Sequence, residues 1–249
     1  MLTGWHVSGR LALLGGLVVV AAAPARAVEI TLDVLVGGES AGSLNASQLG
    51  CSDTGGTTAH CSAQNVSVGD LLITNLNLNL DTDPSVNGVI AVQNNALGTQ
   101  QFTMTVTLLT GAVGNPTTLT GGSVAGGATD NNGNGATLSA PAGSALYTAL
   151  IDGVAHQTLF ADPTVLTVVN PFDSADLDPP GAFGTPIPSL PGPGVATSIG
   201  IRYDFLLTSQ DAASFTGVFV VEPVPEPATA ALLGLGLGGL ALLGRATRP

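Results

Sequence analysis

Lysine is missing from all 249 residues, and only five arginines are present. Four of them, Arg10, Arg26, Arg245 and Arg248, lie in the two terminal segments, so the stretch from Val28 to Pro227 holds Arg202 as its one cation. Seventeen carboxylates against that arginine leave this stretch a formal charge of −16. Such a surface repels phosphate backbones and anionic lipid, because affinity for nucleic acid rests on Lys and Arg neutralising phosphates. Nucleic-acid binding is therefore excluded. Acidity spread over a Gly-, Thr- and Asn-rich chain serves instead to keep it soluble.

Aromatic residues are scarce as well. The one tryptophan, Trp5, sits in the first few residues, and the rest of the chain has two Tyr and seven Phe, several on apolar strand faces. Dedicated carbohydrate-binding modules and glycosidases stack sugars on aromatic platforms, so the shortage argues against both. Contact with polysaccharide through Asn and Thr faces stays open. Beyond His6, the histidines are His60 and His156, on different segments, and no G-x-S-x-G elbow surrounds a serine. A Ser-His-Asp set is thus not assembled. His156, in DGVAHQTLF, falls between two predicted strands and is expected at a turn or edge. Paired carboxylates, as in glycoside hydrolysis, are the one catalytic set that composition allows. The sequence reads as a non-enzyme.

Cysteine is limited to Cys51 and Cys61, in GCSDTGGTTAHCS. In an exported chain such a pair is expected to close a small loop as a disulfide. The rival, a metal site using His60 beside Cys61, is short of ligands.

What the chain does have is a period of two. Leu72, Leu76, Leu78 and Leu80 alternate with Asn75, Asn77 and Asn79; Phe102, Met104, Val106 and Leu108 alternate with Thr103, Thr105 and Thr107. Ile199, Ile201, Tyr203, Phe205 and Leu207 share one face of a third segment, opposite Arg202 and Asp204. Alternation of this kind marks strands with one buried and one wet face. Further strands are predicted at 28–36, 88–93, 145–153, 164–170 and 214–222, separated by turn pairs such as Asn87-Gly88 and Asp152-Gly153. The expected fold is all-β: a single antiparallel β-sandwich over 28–223, of Ig-like or jelly-roll type. A parallel β-helix is the runner-up, but a solenoid needs a fixed repeat and none is found. The Gly/Asn-rich stretch 121–143 reads as a loop. Proline-rich 170–196 reads as a long surface excursion, since proline lacks the ladder donor.

Acidic clusters are weighed for calcium. Asp130, Asn132, Asn134 and Gly135 match the first half of an EF-hand loop, but the twelfth position is Pro141 and no helices flank it, which favours a plain turn. Asp173, Asp176 and Asp178 offer three carboxylates within six residues, as Asp81 and Asp83 do on a smaller scale. Calcium at extracellular millimolar levels is the one cofactor such residues suggest, and solvated acidic loops are the commoner case.

The ends of the chain carry its address. Arg10 is followed by the apolar run Leu11 to Ala23, and then by Ala25-Arg26-Ala27, the small-x-small pattern that signal peptidase needs. Residues 1–27 are read as a signal peptide, a short helix, cut after Ala27; a permanent anchor is disfavoured because the run is short and ends in a cleavage site. At the other end, Pro225-Glu226-Pro227 introduces 17 uncharged residues, Ala228 to Gly244, closed by Arg245 and Arg248. As a helix they span roughly 25 Å, enough to cross a thin bilayer. The flanking arginines would hold that end in the cytoplasm.

VPEPATAALLGLGLGGLALLGRATRP resembles a PEP-CTERM sorting signal: a Pro-Glu-Pro motif, a hydrophobic helix and an Arg-bearing end, in that order. The resemblance covers roughly the last 25 residues. It implies an exosortase partner, a membrane-embedded cysteine transpeptidase of exopolysaccharide-making Gram-negative bacteria. By that likeness Pro225, Glu226 and Pro227 are the recognition residues and 224–249 is the sorting segment. LTSQDAASFTGVFVVEP is similar to the closing strands often found before such signals. Each proline disfavours helix in the residue before it, which keeps the tripeptide extended for a peptidase. No LPxTG-type motif precedes the helix, and a GPI signal would end without arginines. The expected protein is exported, passes through an inner-membrane intermediate and ends at the cell surface or in an extracellular polysaccharide matrix. Its alternatives are a polysaccharide hydrolase and a calcium-dependent adhesin.

Overall fold

The computed structural model describes residues 29–224 and a single helical turn at 234–237. The signal-peptide reading, with Ala25 and Ala27, lies outside the described residues, as do Pro225, Glu226, Pro227, Arg245, Arg248 and all of 228–244 but that turn.

Eighteen strands follow one another among the described residues. They are β1 (Glu29–Val36), β2 (Glu39–Asn45), β3 (Cys51–Gly55), β4 (Thr58–Ala63), β5 (Val66–Val68), β6 (Leu71–Asp81), β7 (Ser85–Asn94), β8 (Gln100–Leu109) and β9 (Val113–Thr129). Then come β10 (Ala136–Ser139), β11 (Ala145–Ile151), β12 (Val154–Ala161), β13 (Val165–Val168), β14 (Ser174–Asp176), β15 (Gly181–Phe183), β16 (Leu190–Val195), β17 (Ser198–Leu207) and β18 (Ala212–Pro223). One eight-stranded sheet runs β12-β11-β17-β8-β1-β2, with β10 joined to β17 and β13 to β10. A ten-stranded sheet runs β14-β9-β18-β7-β6-β4-β3, with β15 and β16 also on β9 and β5 on β6. Each described strand pairing is antiparallel, as the sandwich requires and a parallel β-helix does not.

The period-two residues explain where the core lies. Leu76, Leu78 and Leu80 of β6 and Phe102, Met104, Val106 and Leu108 of β8 are buried, and their Asn and Thr neighbours are not. The two inner faces meet at an aromatic cluster: Tyr203 and Phe205 of β17 lie 5.0 and 5.1 Å from Phe215 of β18, centroid to centroid. Such pairs add about 0.5–1.5 kcal/mol each beyond the area they bury. Tyr147 Oη crosses between the sheets to donate to the Val218 carbonyl (2.8 Å). At Gly217 a Cβ would come within 2.0 Å of Tyr203 Oη, so only glycine leaves room for that phenol.

Two expectations are overturned. Asn87-Gly88 is not a turn between strands: both residues lie within β7 and pair on either side with β6 and β18. The stretch 121–143 is not a loop, because residues 121–129 complete β9 and 136–139 form β10. The glycines that suggested a loop are there because other chain segments crowd them. A Cβ at Gly122 would meet the Phe183 ring at 2.7 Å, and one at Gly121 would meet Ile187 and Pro188 at 2.9 Å. The proline-rich excursion supplies those neighbours. Its β14, β15 and β16 pair in succession along the outer edge of β9, opposite β18.

Candidate functional site

The sandwich has two distinct poles. Glu29 pairs with Leu109, and Ser198 pairs with the same residue, while Pro223 pairs with Thr118 and approaches Gly114. The first and last strands therefore leave the sandwich at one pole. Here Asp152, in the turn between β11 and β12, clamps the turn before β17. Its carboxylate accepts the N–H groups of Ala196 (2.8 Å), Thr197 (2.7 Å) and Ser198 (3.0 Å), and the Thr197 hydroxyl (3.0 Å). Partial burial alone would raise this carboxyl, but those donors outweigh it and hold the pKa below the ordinary value.

The opposite pole is built on buried polar groups. Asn94, at the end of β7, donates to the carbonyls of Leu207 (2.9 Å), Thr208 (3.0 Å) and Gly98 (3.0 Å), which ties the two sheets together. Asp130 is buried and accepts four backbone N–H groups, from Asn132, Gly133, Gly135 and Phe172. Burial pushes its pKa up, and the four donors together pull it below the ordinary value. Asp211 is fully buried beside it, where burial and the neighbouring Asp130 charge raise the pKa against the pull of the Thr208 hydroxyl and the Asn131 N–H. The half EF-hand match is thus an internal turn whose lead carboxylate is spent on its own backbone.

Between the poles lies the outer face of the ten-stranded sheet. Strand alternation puts Asn75, Asn77 and Asn79 of β6 there, with Ser62 of β4 and Ser214 and Thr216 of β18. All six are exposed. His60 Nε2 meets Asn77 Oδ1 (3.2 Å), and Asn79 donates to Asn87 Oδ1 (3.4 Å). Two depressions mark this face. One of about 250 Å³ is lined by His60, Asn79, Asp81, Ser85 and Asn87, and one of about 630 Å³ by Asp176, Asp178, Ser214, Thr216 and Gly126.

The residues singled out in the sequence are distributed as follows. Cys51 and Cys61 form a disulfide, facing each other across the β3–β4 hairpin. Asp176 and Asp178 share the larger groove, but Asp173 is used elsewhere, accepting from the Ser174 N–H (2.9 Å) and the Asn170 amide (3.2 Å). Those hydrogen bonds lower its pKa. Among the described residues no three His, Cys, Asp or Glu side chains gather as a metal-holding group. Asp81 accepts the Asp83 N–H in a turn of its own. His156 lies on β12, the edge strand of its sheet, 2.9 Å from Thr120 Oγ1, and burial lowers its pKa. Arg202 has its Nε buried with no hydrogen-bond partner. The groove at Ser214 and Thr216 has no local signal in the sequence, because Asp176 comes near them only through the pairing of β14 with β9, where Gly127 lies between Asp176 and Ser214.

Among the described residues no helix is long and apolar enough to cross a membrane. Within the helical turn at 234–237, Leu235 and Leu237 are 76% and 61% exposed. No protein-family model matches the chain, and no curated protein matches it in sequence.

Proposed function

We propose that this chain is an exported structural or interaction protein, sorted through its C-terminal segment and held at the cell surface or in an extracellular polysaccharide matrix. The observation that carries the reading is the order Pro225-Glu226-Pro227, 17 uncharged residues, then Arg245 and Arg248. In this reading signal peptidase cuts after Ala27. The helix 228–244 holds the chain in the inner membrane until an exosortase acts at the tripeptide. Three features of the fold support it. Among the described residues the sandwich closes with β18 at Pro223, and its core is drawn from residues 30–221. Leu235 and Leu237 stay exposed and are not packed into the β core. The disulfide suits an oxidising compartment outside the cytoplasm.

A polysaccharide hydrolase is the second reading, favoured by Asp176 and Asp178 lining one groove. Release of reducing ends from a soluble glucan would select it. The sorting reading is tested by following Glu226→Ala and a deletion of 225–249 in cells. The first is expected to accumulate as a membrane-held precursor and the second to be released untethered. Identical fractionation of both with the parent chain would refute it.

A further inference from the structure

On the outer face of the ten-stranded sheet, one register row crosses five neighbouring strands as Asp176, Gly127, Ser214, Ala91 and Asn75. Polar side chains alternate in it with residues that carry a methyl group or nothing. Strands lie about 4.8 Å apart, so the row runs about 19 Å across the strand direction. The next row carries Ala125, Thr216, Val89, Asn77 and Ser62, with Val89 between Thr216 and the adjoining pair Asn77 and Ser62. The result is a polar track whose Asp176 end opens into the groove of about 630 Å³ shared with Asp178.

The chemistry of this track selects one class of occupant. It holds no cation, and its two carboxylates repel phosphate- or uronate-bearing chains at close range. Its residues include no aromatic ring, methionine or arginine, the types that anchor the core of a protein–protein interface. What remains are acceptors at Asp176 and Asp178, hydroxyls at Ser214 and Thr216, and amides at Asn75 and Asn77 that both donate and accept. Sugar hydroxyls, which also donate and accept, match this set.

We infer that the track from Asp176 to Asn75 binds an extended, uncharged polysaccharide laid across the strands. Asp176 and Asp178 accept from its hydroxyls, and Ser214, Thr216, Asn75 and Asn77 exchange hydrogen bonds along it. This deepens the matrix-protein reading and rests on it for the presence of the ligand. Without stacking rings each chain is held weakly, and hold on a matrix comes from many contacts along a long polymer.

The test is electrophoresis of the purified exported protein through gels containing dextran, a soluble mixed-linkage β-glucan or alginate. Retardation by an uncharged glucan and none by alginate is expected. Asp176→Ala, and Ser214→Ala combined with Asn75→Ala, should each weaken retardation about tenfold or more. Thr105→Ala, on the outer face of the other sheet, should match the parent. Melting curves that overlay the parent's exclude unfolding as the cause. Passage through both glucans without retardation, or equal retardation of all variants, overturns the inference. Tail processing of the same variants is followed separately, so a chain that is correctly processed and does not bind refutes the track alone.

Discussion

Asp130 and Asp211 show how one side chain's surroundings decide its charge. Both are buried at the pole away from the chain's exits, yet four backbone donors hold Asp130 ionised while burial beside it favours protonated Asp211. The two carboxyls therefore respond to pH in opposite directions. Asp211 has a raised folded pKa, so its contribution is complete below the unfolded value near 3.8 and is lost as pH rises through the folded value. Asp130, with a lowered pKa, contributes fully above 3.8 and loses its contribution as pH falls through its folded value. Asp211→Asn should accordingly raise the melting temperature at pH 7 and lose that advantage near pH 4, while Asp130→Asn should lower it at pH 7. Melting curves at a series of pH values check both signs. Gly217 is decided by space alone: Gly217→Ala should cost about 1–3 kcal/mol in chemical denaturation, as overpacking does. Tyr203→Phe in that background should return part of the loss, because the clash is with the phenol oxygen.

Strands with a clean alternation were legible from sequence, and those shaped by their neighbours were not. β6, β8 and β17 each show an apolar inner set and a polar outer set, and all three were placed within a residue or two. No part of β9 is legible in the sequence: its first half around Asn115-Pro116 shows no clean alternation, and in its glycine-rich half the pattern that normally marks a strand is traded for clearance. Gly121, Gly122 and Gly127 sit under Ile187, Phe183 and Asp176, contacts made by a segment some fifty or more residues later in the chain. β12 was missed because His156, Gln157 and Thr158 break the alternation of an edge strand. Candidate side chains followed the same rule. The local disulfide was readable from spacing, whereas the groove at Asp176, Ser214 and Thr216 needed pairings across three strands. The disulfide staples β3, the terminal strand of its sheet, to β4. Replacing both cysteines by serine should lower stability by about 2–3 kcal/mol, as expected for so short a loop, and spare the rest of the sandwich. Denaturant unfolding with an unchanged slope would support that; no change in midpoint would count against it.

The molecule as a whole is polarised. Its first and last strands exit together, its buried polar lock lies at the far pole, and its acidic, lysine-free flanks separate the two. At about 3.3 Å per residue, the 12-residue β18 alone sets the poles roughly 40 Å apart. A body tethered at its exit pole would hold the polar track on its side, clear of the anchor and reachable by long polymers. Mutual repulsion between copies, whose Val28–Pro227 stretch carries −16, favours their dispersal. The tether itself depends on the fate of the segment after Val224. The most direct measurement is mass spectrometry of both termini of the protein recovered from the cell surface and the surrounding matrix. An N-terminus at Val28 and a C-terminal peptide ending at or beside Pro225-Glu226-Pro227, with residues 228–244 gone, are the expected result. A mature chain still ending in Arg248-Pro249 would contradict it.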